Sequence, residues 1–133
     1  MRRVLVASFT LLIAFGIGVL WGAWGRSAAE RGLKDLQLRS DLLDARGAVL
    51  DARLDIYSVN FGNASQHLET AKTLLTHAKL QLTTDNDTKQ IDQALILIAE
   101  AQGLSGRLDQ TANATAARAA GIINDVLKTR TVR

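Results

Sequence analysis

Residues 36–57 read LQLRSDLLDARGAVLDARLDIY. The tetrapeptide Leu-Asp-Ala-Arg occurs in it twice, at 43–46 and 50–53, and residues 36–39 form a looser third copy. A period of seven places like residues on one stripe of a helix. Leu38, Leu42, Ala45, Val49, Ala52, Ile56 and Val59 alternate spacings of four and three, which is the seam of a helix bundle. Leu36, Leu43, Leu50 and Tyr57 make a second apolar stripe, about 140° from the first at 100° per residue. Arg39, Arg46 and Arg53 lie between the stripes, and Asp44, Asp51 and Asp55 take the remaining face. A helix with two apolar stripes needs neighbours on two sides. One neighbour is its own bundle; the other is another subunit or a second copy.

The stripe Leu36, Leu43, Leu50 and Tyr57, with Arg39, Arg46 and Arg53, is therefore the candidate partner-binding surface. Two readings of the arginine row stand side by side. The arginines flank a seam, packing aliphatic stems and pairing with acids, or they dock an acidic partner surface. Acid-first spacing at Glu30–Lys34 and Asp35–Arg39 supports the first reading.

Upstream, residues 4–24 form a run of 21 without a charge. About 20 apolar residues in a helix cross a bilayer core of roughly 30 Å. The run predicts a single transmembrane helix. Arg2 and Arg3 precede it, which places the N-terminus in the cytoplasm by the positive-inside tendency. Trp21 and Trp24 sit at the outer end, where indoles favour the membrane interface. Ala14, Gly18 and Gly22 recur every four residues, and a GxxxG face lets another helix approach closely. A cleaved signal peptide is the alternative, but its apolar core spans only about 7–15 residues. These features predict a bacterial inner-membrane protein with an anchor at residues 1–26. An extracytoplasmic, periplasmic domain follows at residues 27–133.

Beyond the anchor, Ser27 and Glu30 read as a capping box opening a new helix. Residues 60–63 supply turn chemistry, with a glycine and two asparagines. A helix follows with a narrow seam of Ala64, Leu68, Ala71, Leu75, Ala78 and Leu82, whose small residues permit close packing. Residues 83–88 form a polar loop. The last segment, residues 88–128, carries Ile91, Ala94, Ile98, Ala101, Leu108, Ala112, Ala119, Ile122 and Val126 in one phase. Asp85 and Asp87 at its start and Lys128 and Arg130 at its end suit the helix dipole. Continuous phase across Gly103 and Gly106 favours one bent helix about 60 Å long. Its partner helix is only about 28 Å long. Either the chain folds back at Gly103 and Gly106 or a partner covers the overhang. The expected fold is all-α: the anchor, then a three- or four-helix antiparallel bundle with long coiled-coil-like helices.

The composition agrees. The chain has no proline, the residue that breaks helices. It has no cysteine, which excludes disulfides, thiolate catalysis and cysteine-ligated metals. Its net charge is +3, and Arg2 and Arg3 account for most of it. From Arg26 onward 14 basic residues face 13 acidic ones, interspersed, so nucleic acid is not an expected partner.

Residues 60–72 resemble the second helix of a tetratricopeptide unit, through Phe61, Ala64, Leu68 and Ala71. The resemblance covers one helix and implies helix-hairpin packing. No phosphate loop, nucleophile elbow, HExxH or calcium loop is present. His67 and His77 are ten residues apart, whereas metal pairs on a helix stand three or four apart. They read as surface or boundary histidines. Asn63, Asn86 and Asn113 open glycosylation triplets that matter only in a eukaryotic secretory route.

No catalytic residues, cofactor, metal or small-molecule substrate are expected. The sequence predicts a non-catalytic single-pass accessory or scaffold subunit of a larger membrane complex, with respiratory and photosynthetic assemblies as candidate hosts. Its partners would be the lipid bilayer and other subunits. A self-associating coiled-coil tether is the alternative, and a periplasmic ligand-sensing bundle is a third reading.

Overall fold

The computed structural model describes the backbone of residues 2–131 and the side chains of residues 29–130. It contains four helices: α1 (Arg2–Tyr57), α2 (Phe61–Leu80), α3 (Asp85–Gly106) and α4 (Ala112–Thr131). No strand occurs among the described residues. Helix α1 is continuous through Ser27, so the expected new start there is corrected. The chain divides into two compact units, Met1–Leu36 and Gln37–Arg133. In the first unit, Leu33 and Leu36 are exposed. Among the described residues no helix is long and apolar enough to cross a membrane. The side chains of the expected anchor at residues 4–24 lie outside those described.

The second unit is a four-helix bundle. Its core comes from the alternation of large and small residues seen in the sequence. Leu38, Leu42, Ala45, Val49, Ala52 and Ile56 are buried on α1, and Ala64, Leu68, Ala71, Leu75 and Ala78 on α2. Among the described residues half of the buried hydrophobic side chains are alanine, so the helices approach closely where leucine and isoleucine interdigitate. The expected seam holds on α3, where Ile91, Ala94, Ile98 and Ala101 are fully buried.

The final segment is two helices, not one. The chain folds back at residues 107–111, past both glycines that marked the candidate turn. Gly103 and Gly106 lie inside α3. Leu108, placed in the seam by phase, is exposed and stands in the turn with φ 58°. On α4 the buried isoleucine is Ile123, with Ala116 and Ala120 beside it, and Ile122 is only half-buried. Burial decided against a 60 Å helix, because a fold-back covers the apolar face that an overhang would expose.

Both turns at this end of the bundle use the same device. Val59 N–H donates to Ile56 O and Asn60 N–H to Asp55 O. Leu108 N–H donates to Ser105 O and Asp109 N–H to Leu104 O. These paired bonds are Schellman motifs with Val59 and Leu108 in the left-handed position. Val59 has φ 61° and is exposed, so it caps the helix instead of extending the α1 seam. Gly62 and Asn63, expected in the turn, belong to α2, which Asn60 caps by accepting from Asn63 N–H. Asp109 Oδ1 accepts from Thr111 N–H at 2.9 Å and Thr111 Oγ1 at 2.7 Å, which turns the chain into α4.

Polar clasps fix the helix directions. Asp41 meets His77 and Asp55 meets His67. The α1 numbers rise as the α2 numbers fall, so these helices are antiparallel. Lys79–Asp92 and Glu69–Gln102 repeat the pattern between α2 and α3. Asp87 and Arg130, expected at opposite ends of one helix, lie 3.4 Å apart across α3 and α4. This is an ion pair without hydrogen-bond geometry, for Arg130 Nε has no bonded acceptor. It joins an acid in the first turn of α3 to a base in the last turn of α4. Each charge also suits its own helix dipole.

Candidate functional site

Helix α1 turns one face to the bundle and the opposite face to solvent. The solvent face of the second unit carries Leu43 (46% exposed), Leu54 (66%) and Tyr57 (80%). Leu50 lies among them, half-buried and packed against the core. Isolated exposed leucines are ordinary on a protein surface. A row of them on one helix face is the less common observation.

The row ends in a groove of about 320 Å³ lined by Leu50, Arg53, Leu54, Tyr57 and Asn113. Its lining includes a reciprocal pair across α1 and α4. Arg53 Nε donates to Asn113 Oδ1 at 3.0 Å, and Asn113 Nδ2 donates to the Arg53 carbonyl at 3.3 Å. The pair thereby holds Arg53 in place along the groove lining. A small second core of Ile56, Phe61, Ala64 and Ala112, with Leu104 against it, lies at this end of the bundle.

The sequence-predicted surface is partly gathered here. Leu50, Arg53 and Tyr57 line the groove. Leu43, Arg39 and the half-buried Arg46 lie further along α1, and Leu36 belongs to the first unit. Leu54 and Asn113 were missed. Leu54 stands four residues after Leu50 and three before Tyr57, a signal hidden by reading the stripe only at intervals of seven. Asn113 carried no signal, because its place beside Arg53 depends on the fold-back before α4. Ala14, Gly18, Gly22, Trp21 and Trp24 lie outside the residues whose side chains are described.

Comparison with known protein families, curated proteins and solved structures returned no match.

The polar clusters are built as clasps. The buried Asp41 carboxylate accepts from three donors: His77 Nδ1 at 2.6 Å, Gln37 Nε2 at 2.9 Å and Gln81 Nε2 at 3.1 Å. A carboxylate that is buried needs such donors to offset its lost hydration. His67 Nε2 lies 3.4 Å from Asp55 Oδ2 and repeats the contact nearer the other end of α2. Both histidines thus tie α2 to α1, which ten-residue spacing did not reveal. Among the described residues no group of three or more His, Asp or Glu could hold a metal ion.

Two carboxylates are shifted. Gln102 donates to Glu69, as does Lys72, and together they hold its carboxyl below the usual glutamate range. The Thr111 backbone N–H and hydroxyl hold Asp109 below the usual aspartate range. Both shifts arise where a carboxylate joins or caps helices, and neither faces the groove.

Proposed function

We propose that this chain is a non-catalytic accessory subunit, anchored in a bacterial inner membrane by one helix near its N-terminus. Its bundle stands on the extracytoplasmic side and holds neighbouring proteins of a membrane complex. The observation that carries the reading is the exposed apolar row of α1, Leu43, Leu54 and Tyr57, beside a groove and an arginine row. A bundle with a closed core has no internal need for those residues on its surface. The uncharged run at residues 4–24 supports the membrane address.

Fractionation and native mass measurement test the reading together. The full chain should stay in the membrane pellet after alkaline wash. In mild detergent it should migrate well above its own 14.4 kDa, after allowance for bound detergent. A chain released by the wash, or a lone monomer in detergent, overturns it.

A further inference from the structure

We propose that the partner of the outer α1 face is a second copy of this chain, paired in parallel as a two-stranded coiled coil. The inference rests on the reading of that face as a contact surface and names its occupant.

The exposed and half-buried residues of the outer face fall into a heptad register that single stripes conceal. Ser40, Leu43, Gly47, Leu50, Leu54 and Tyr57 are spaced three, four, three, four and three. Leu43, Leu50 and Tyr57 take d positions, and Ser40, Gly47 and Leu54 take a positions. The bundle core draws mainly on the other side of the helix, through Leu42, Ala45, Val49, Ala52 and Ile56, with Leu50 of the outer row packed against it. Both seams can therefore be filled at once. Gly47 leaves open space, for a Cβ built there meets nothing within 4 Å. Leucines of a facing helix can enter it.

Charge order selects the partner and its direction. In this register Arg39, Arg46 and Arg53 are g residues, while Asp44 and Asp51 are e residues. In a parallel pair each g side chain faces the e′ side chain five residues on. Arg39 then meets Asp44 of the second copy, and Arg46 meets its Asp51. Two-fold symmetry gives each pair twice. In an antiparallel pair g faces g′, and arginine would meet arginine. The α1 surface is thus complementary to itself in one direction only.

The arginines divide as this arrangement requires. No ion pair within the described residues engages Arg39, Arg46, Asp44 or Asp51. Arg53 would face Ser58 of the other copy, which offers no charge. It is the arginine of the row that turns inward, onto Asn113.

Because the chain has no cysteine, single cysteines test the pairing in the full-length protein in detergent or bilayers. Leu43→Cys should give disulfide-linked homodimers under mild oxidation, since facing d positions satisfy disulfide reach. Leu80→Cys, more exposed and on α2, should not. In the Leu43→Cys background, Arg39→Asp with Arg46→Asp should cut crosslinking at least tenfold. Asp44→Arg with Asp51→Arg should do the same. Mixing the two charge variants should restore it as a mixed dimer, which also shows that both remain folded. Leu43→Cys that crosslinks only with Leu54→Cys overturns the parallel direction. Capture of foreign proteins alone overturns self-pairing and leaves the contact surface standing. Capture of nothing in native membranes overturns both.

Discussion

Val59 holds a backbone conformation that β-branched residues rarely adopt, at φ 61°. The left-handed region costs a non-glycine residue roughly 1–2 kcal/mol. Val59→Gly removes that strain without losing a buried contact, since the side chain is exposed. Glycine's greater unfolded freedom offsets part of the gain. We expect stabilisation of about 0.5–1 kcal/mol, read as a higher urea midpoint at unchanged slope. The reverse swap belongs at Gly103, which is helical and has open space where a methyl group would stand. Gly103→Ala should add about 1 kcal/mol. The sequence misled at these positions for one reason. Glycine usually marks the left-handed cap, yet here the caps are Val59 and Leu108 and every described glycine has negative φ. Asp41 was equally illegible: its burial depends on His77, thirty-six positions away. Replacing His77 by alanine leaves that carboxylate with two glutamine donors. A loss of about 1–2 kcal/mol is expected. The double variant with Asp41→Asn should lose less than the two single losses added together.

Among the elements, α2 was the most legible and the α3–α4 hairpin the least. Ala64, Leu68, Ala71, Leu75 and Ala78 repeat without interruption and are fully buried, while Leu82, expected in the same seam, lies past the end of α2 and is half-buried. A single unbroken seam leaves no choice of face. The α3 and α4 seams also match in phase, but phase survives a fold-back when the turn has a compatible length. Periodicity alone cannot separate one long helix from two. Length could: a long final helix would have left half its apolar face uncovered. The phase reading also chose Ile122 where the core takes Ile123. Substitution separates the two. Ile123→Ala should cost about 2–5 kcal/mol, the range for a fully buried isoleucine. Ile122→Ala, at a half-buried site, should cost less than half as much. Equal losses in chemical denaturation would contradict the α4 register.

For the whole molecule, acid stability follows from the helix-joining carboxylates. Glu69 and Asp109 have lowered values in the folded chain. As pH falls, the unfolded chain therefore takes up these protons first. Their contribution is fully present above the ordinary carboxylate range, near pH 4, and is lost as pH drops through the lower folded values. Glu69→Gln should lower the neutral plateau by the contribution it removes, converge with the unsubstituted chain at low pH, and so flatten part of the acid limb of stability against pH. The leading donors, Gln102 and Thr111, are neutral, so added salt should weaken only the smaller parts of the effect that come from Lys72 and Arg107.

The division of α1 between two seams sets the last expectation for the whole molecule. Leu43 and Leu54 contribute to the outer row but not to the bundle core. Leu43→Asp or Leu54→Asp should change bundle stability by no more than about 0.5 kcal/mol. Under the proposed self-pairing, the same variants should abolish the dimer. Leu50 differs, because it lies in the outer row and also packs against the core. Leu50→Asp should lose both properties together. Thermal melting and native mass, measured on all three variants, separate the two roles. If Leu43→Asp melts as early as Leu50→Asp, the outer row belongs to the bundle itself. If Leu43→Asp melts normally and keeps its dimer, the pairing runs through another face. A normal melt with a lost dimer assigns the outer row to association and the inner seam to folding.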